Sequence, residues 1–132
     1  MESLEHFLEL DEEKKFSVLG PLLAVKDLAI KNVAKRHRVT PSTITGLNAF
    51  AATLSIKEHA TLKDVQQITA VSKNTSINYE QRLLKHEMIY RQKFNGKKLY
   101  QLTPFGQKIS EEFCDEVHKL AEMFEKPERR FL

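Results

Sequence analysis

Apolar positions recur at helical spacing through most of the chain, and only one stretch switches to strand-like alternation. Phe16, Leu19, Leu23, Ile30, Val33 and Ala34 form one row, and Val18, Leu22, Val25 and Ala29 form a second. This pattern predicts a helix from about Asp11 to His37. A helix apolar on two sides needs two partners, its own domain and a second subunit. Residues 2–10, with Leu4, Phe7, Leu8 and Leu10 on one side, predict a short amphipathic turn before it. Gly20-Pro21 is expected to start or kink the long helix, because proline lacks an amide donor.

Val39-Thr40-Pro41-Ser42 reads as a helix boundary, a cap-capable threonine followed by proline at the first position. The next helix is expected over 41–56, with Ile44, Leu47, Ala51 and Leu54 as its core face. Thr61-Leu62-Lys63-Asp64 has the form of a capping box with a shorter acid, opening a helix whose buried side is Leu62, Val65 and Ile68. That helix ends near Thr69, Ala70-Val71 makes a turn, and Ser72 caps another helix reaching about His86. Helix, short turn, helix is the helix-turn-helix arrangement.

Alternation takes over in the two runs Met88 to Phe94 and Lys97 to Thr103, joined by Asn95-Gly96. Both central residues of a type I′ turn need positive φ, which asparagine and glycine tolerate best, so a tight hairpin follows. Thr103-Pro104 then caps a last helix. Its stripe of Phe105, Ile109, Phe113, Val117, Leu120 and Phe124 extends to Glu125, on the order of 30 Å. Pro127 ends it, and Glu128 to Leu132 is expected to fray. This helix is longer than one small domain needs to cover its core. With the N-terminal helix it is expected to build a dimer interface.

Charge sharpens this picture. The net charge of +3 is unevenly spread: residues 1–16 carry −4, 17–40 carry +4, 41–69 balance, 70–103 carry +5 and 104–132 carry −2. Positive charge therefore gathers on the second helix of the helix-turn-helix and on the hairpin, as on a phosphate-facing surface. On that helix, spacing points Ser76, Tyr79 and Leu83 inward. Ser72, Lys73, Asn74, Thr75, Ile77, Asn78 and Arg82 are the candidate DNA contacts, since the N-terminal part of such a helix can enter the major groove. On the hairpin, Arg91, Lys93, Asn95, Lys97 and Lys98 are candidates for the phosphate backbone, each cation adding affinity through counterion release.

Other chemistry is not indicated. The chain shows no Walker loop, dinucleotide fingerprint or paired-carboxylate motif, so no catalytic residues, cofactor or enzyme activity are assigned. Cys114 and His118 share a helix face but supply only two ligands, and no metal site is assigned. A lone cysteine cannot form an internal disulfide. No apolar run approaches the roughly 18–20 residues of a membrane span, and an acidic N-terminus argues against export. A cytoplasmic location is expected.

The order of helices, helix-turn-helix, wing and long closing helix resembles the MarR family of transcriptional regulators. VTPSTITGLNAFAATL resembles that family's second helix, SKNTSINYEQRLLKHEMI its recognition helix and exit, and KKLYQLTPFGQKI its wing strand and following helix. The likeness covers roughly residues 20–125, with motifs shared by other winged helices, including the PadR-like group. The resemblance implies a mainly α fold with a small β-hairpin wing, one winged helix-turn-helix domain over 1–132. Dimerisation helices would lie at 11–38 and 104–126 and a DNA-binding lobe at 41–103. It implies a homodimer that binds double-stranded DNA sequence-specifically as a repressor, with helix 72–86 in the major groove and wing 88–103 on the backbone, and with a small-molecule effector. Three features depart from the family. The wing RQKFNGKK lacks the aspartate-x-arginine element, Glu87 replaces a usual glycine, and Ser76 and Glu80 replace usual apolar residues. The alternative class is a winged-helix accessory or protein-interaction module of a plasmid, a phage or a larger assembly.

Overall fold

A computed structural model describes residues 12–125 of the chain. The amphipathic turn at 2–10, Pro127 and the tail at 128–132 lie outside the described residues. Helix α1 spans Glu12–His37, α2 Pro41–Ile56, α3 Leu62–Thr69 and α4 Lys73–Lys85. Strands β1 (Ile89–Phe94) and β2 (Lys97–Leu102) follow, and α5 (Pro104–Glu125) closes the order. The structure is mainly helical, with one two-stranded antiparallel hairpin.

Local chemistry sets the boundaries. Helix α1 runs unbroken through Gly20-Pro21, which is therefore not its start. It ends in a Schellman motif: Val39 N–H donates to the Ala34 carbonyl at 3.0 Å and Arg38 N–H to Lys35 at 3.3 Å, with Arg38 left-handed at φ 56°. Thr40 caps α2 by accepting from Thr43 N–H, and Pro41 occupies the first turn, where a missing donor costs nothing. Thr103 does the same for α5, its hydroxyl oxygen accepting from Gly106 N–H at 3.0 Å.

Helix α2 forms the centre of the core. Its buried face is Thr43, Ile44, Gly46, Leu47, Phe50 and Thr53, whereas Ala51 and Leu54 are only half-buried. The expected face through Ala51 and Leu54 is thus corrected by a partial rotation. Packing explains it: α1, α3, α4 and α5 all touch α2, so burial follows its neighbours rather than one stripe. Phe50, Leu83, Met88, Tyr100 and Ile109 meet there, fully buried, and each such side chain contributes about 1.5–3 kcal/mol. A second, smaller cluster of Val25, Ala29 and Leu120 joins α1 to α5.

An ionic clamp fastens the same two helices. Arg36 pairs with Glu116 and, at 3.2 Å, with Glu112, while His37 Nε2 lies 2.6 Å from the other Glu112 oxygen. The hydrogen bond from His37, aided by Arg36, holds the Glu112 carboxyl below its ordinary value, and both carboxylates raise the Arg36 guanidinium. Outside the clamp, Leu22, Leu23 and Leu28 leave one side of α1 exposed.

The hairpin register pairs Phe94 with Lys97, so Asn95 and Gly96 alone form the turn, at φ 51° and 76°. Tyr100 N–H donates to the Ala60 carbonyl at 2.8 Å, an isolated bridge that adds a third rung beside β2.

Candidate nucleic-acid interface

The helix-turn-helix is built by two caps and one strained residue. Thr61 Oγ1 accepts from Asp64 N–H at 3.1 Å, and the Asp64 carboxylate accepts from Thr61 N–H at 3.0 Å, completing the capping box. Lys57 Nζ, 2.8 Å from Asp64, and the box itself hold that carboxyl below its ordinary value. Helix α3 stops at Ala70, which is left-handed at φ 56°, and Ser72 starts α4 two residues later. Ser72 Oγ accepts from Thr75 N–H at 3.1 Å and donates to Thr75 Oγ1 at 2.9 Å. The Ser72 hydroxyl is therefore occupied as the cap, and Thr75 Oγ1 accepts its hydrogen bond.

Helix α4 is two-faced. Ser76, Glu80 and Leu83 are buried. The Ser76 hydroxyl is satisfied by the Lys73 carbonyl at 2.7 Å. Tyr79 packs half-buried on Gly46 of α2, where an added Cβ would lie 2.8 Å from its ring. That close approach seats α4 on α2. Lys73, Asn74, Asn78, Gln81, Arg82 and Lys85 are exposed on the opposite side, with Thr75 and Ile77 half-buried at its margins. The inward set includes Glu80 in addition to the expected Ser76, Tyr79 and Leu83.

The hairpin presents two faces that differ in chemistry. Ile89 pairs with Leu102, Arg91 with Tyr100 and Lys93 with Lys98 on one face, so it is buried at the root and cationic toward the tip. Lys93 and Lys98 stand directly opposite each other, an arrangement of like charges that destabilises a ladder unless an anion offsets it. Neither forms an ion pair among the described residues. Arg91 differs: its guanidinium lies 3.7 Å from the Glu80 carboxylate. The other face carries Tyr90, Gln92, Phe94 and Lys97, with Phe94 65% exposed at the tip. Asn95 is exposed in the turn.

A cleft of about 710 Å³ separates the wing tip from the start of α3, and Lys57, Lys63, Lys97 and Lys98 line it. Lys63 thus joins the basic surface although its sequence surroundings are neutral; only the fold brings it beside the wing. Gln81, Lys85 and Phe94 were likewise not singled out by sequence reasoning, though period 3.6 from Asn74 and Asn78 reaches the first two. Among the described residues no three His, Cys, Asp or Glu side chains gather as a metal site, and Cys114 is exposed.

No family model and no curated protein matches the sequence. Solved structures do match in shape. A point mutant of MepR from Staphylococcus aureus bound to an oligodeoxyribonucleotide superposes with a TM-score of 0.63 at 18% identity, covering 88% of this chain and 83% of that one. A MarR transcriptional regulator from Methanosarcina mazei Go1 gives 0.64 at 16% identity over 92% and 81% of the two chains. Staphylococcus aureus MarR in complex with salicylate and kanamycin gives 0.63 at 19% identity over 92% and 75%. At these identities the likeness establishes the fold, a MarR-type winged helix.

Proposed function

Starting from a MarR-type winged helix with an open basic face, we propose that this protein is a sequence-specific double-stranded DNA-binding regulator acting as a homodimeric repressor. The observation that carries the reading is the segregation on α4. Its Ser76, Glu80 and Leu83 side chains are buried, and its bases and amides are exposed beside a hairpin whose tip bears an unrelieved lysine pair.

In this reading Lys73, Asn74, Asn78 and Arg82 enter the major groove. Arginine and asparagine can each make paired hydrogen bonds to base edges, and half-buried Ile77 can meet a thymine methyl. Lys93, Lys97 and Lys98 sit on phosphates of the flanking backbone and fix register without reading sequence. Ser72 and Thr75 contribute by holding the helix start in place. The DNA-bound MepR relative has the same fold and supports this docking.

The dimer rests on α1 and α5. Leu22, Leu23 and Leu28 are exposed on α1 and Met123 on α5, an apolar surface that a second copy would cover. A two-fold pair of α4 helices would read half-sites about one helical turn apart. An effector has a place between this helix pair and the lobe, in a cleft of about 530 Å³ lined mainly by apolar groups, including Ala51, Ala52, Phe113 and Val117, with Asn48 and Lys26 at its polar margin. The salicylate-bound relative supports a small organic acid as the class.

A salt titration of duplex binding tests the reading. Affinity should fall steeply between low and moderate salt, with a log–log slope of about −0.9 per phosphate engaged. Absence of duplex binding at low salt would overturn it in favour of a protein-interaction module.

A further inference from the structure

In sequence the cations of the hairpin's inner face are equal candidates for the phosphate backbone, and their surroundings separate them. Arg91, Lys93 and Lys98 lie on that face. The two lysines form no ion pair among the described residues, whereas Arg91 faces Glu80 of α4 across 3.7 Å. Glu80 is only 8% exposed. Its carboxylate also accepts a hydrogen bond from the Tyr100 hydroxyl of β2. Tyr100 is in turn fixed: it is fully buried, its ring meets Phe50 edge-on at a centroid distance of 5.7 Å, and its N–H is held by Ala60. One carboxylate thus touches both strands of the wing from the recognition helix.

Taking one partner away from a buried charge pair leaves the other charge uncompensated, which costs more than an exposed lysine–phosphate contact returns. Lys93 and Lys98 pay no such penalty on turning to an anion. We infer that Glu80 is a positioning residue: it ties α4 to the wing through Tyr100 and Arg91, and it withholds Arg91 from the DNA backbone. The spacing between the groove-reading helix and the wing is then set inside one protomer by this three-residue chain. Of the three inner-face cations, only Lys93 and Lys98 count toward the phosphates. This rests on the duplex-binding reading and takes Arg91 off the list of candidate backbone contacts.

The test measures the salt dependence of duplex binding and the thermal midpoint for the wild-type protein, Arg91→Ala, Lys98→Ala, Glu80→Gln and the Glu80→Gln/Arg91→Ala double variant. Lys98→Ala should shrink the log–log slope by about 0.9 and leave the midpoint unchanged or higher. Arg91→Ala should keep the wild-type slope and lose several degrees of midpoint, because Glu80 is left buried without its cation. Glu80→Gln frees Arg91 and should steepen the slope by up to about 0.9, and the double variant should return it to the wild-type value. The inference is overturned if Arg91→Ala shrinks the slope as Lys98→Ala does and leaves the midpoint alone. If Glu80→Gln does not fold, the Arg91 and Lys98 variants decide between these outcomes. A wild-type protein that binds no duplex would refute the duplex reading instead, and the midpoint contrast between Arg91→Ala and Lys98→Ala would then judge the tie by itself.

Discussion

Gly106→Ala should destabilise the protein, against the usual sign for a helical glycine. In an ordinary helix interior alanine is favoured over glycine by about 1 kcal/mol. Gly106 lies in the first turn of α5 and is buried against the root of the wing. A Cβ built there would fall 1.9 Å from the Met88 carbonyl oxygen and 2.8 Å from its carbon. A carbon–oxygen contact settles at roughly 3.3–3.6 Å, so well over 1 Å must be found. Neither side yields cheaply. The Met88 side chain is fully buried, and its carbonyl already accepts from Thr103 N–H at 3.0 Å. Losing that bond costs about 1 kcal/mol and overpacking about 1–3 kcal/mol. Subtracting the helix-propensity gain leaves about 2 kcal/mol of net destabilisation. For a domain of this length that is a fall in thermal midpoint of roughly 7 °C. Circular dichroism melts with a parallel denaturant series would read it. Gly96→Ala is the control: its Cβ meets nothing within 4 Å, and only its φ of 76° is penalised, at about 1 kcal/mol. A Gly106→Ala midpoint equal to or above wild type would refute the packing argument.

Other consequences are equally direct. Glu87 sits left-handed at φ 57° in the Schellman turn that ends α4, where Met88 N–H donates to Leu83 and Glu87 N–H to Leu84. Glu87→Gly should therefore raise stability by about 0.5–1 kcal/mol in denaturant unfolding, and a loss would show that the side chain has a role of its own. Lys98→Glu should stabilise the isolated fold by relieving Lys93 while weakening duplex binding at least tenfold in a fluorescence titration; loss of both would contradict the ladder argument. Arg82→Ala and Lys73→Ala should weaken duplex binding without changing the sedimentation coefficient, and unchanged binding in both would overturn the recognition-helix assignment. Asp64 and Glu112 have folded values below their ordinary 3.8 and 4.5. The stability they contribute is present above those ordinary values and is lost as pH falls through the depressed ones. Melts should hold steady from pH 7 to about 5 and then fall, less steeply in an Asp64→Asn/Glu112→Gln variant.

Elements that end in local chemistry were legible in the sequence. Thr40-Pro41, Thr61 with Asp64, Ser72, Thr103-Pro104 and Asn95-Gly96 each satisfy or shape backbone within a few residues of themselves, so no distant partner had to be known. Features decided at long range were not. Helix α2 presents Phe50 and Thr53 rather than Ala51 and Leu54 because four helices surround it. Gly20-Pro21 reads as a helix start or kink, yet α1 already runs on both sides of it. Glu80 could be flagged as out of place by its type, but its purpose depends on Tyr100, twenty residues on. For the same reason Arg91 and Lys93 look interchangeable in sequence and differ in space. Lys63 is invisible as part of a basic surface until the wing folds beside it.

The bridge between Ala60 and Tyr100 has a further consequence, for solubility. It occupies the outer side of β2, so among the described residues the hairpin's open edge is β1. An open strand edge invites pairing with another chain, and proteins commonly blunt it with charge. Strand β1 is IYRQKF, and its two charges, Arg91 and Lys93, are its guards against edge-to-edge aggregation. Stripping the wing of cations exposes an edge bearing Tyr90 and Phe94, both already turned to solvent. Charge-neutral wing variants will therefore need low protein concentration, because Lys93, which faces the phosphate backbone, and Arg91, which is tied to Glu80, together keep one wing from templating the next.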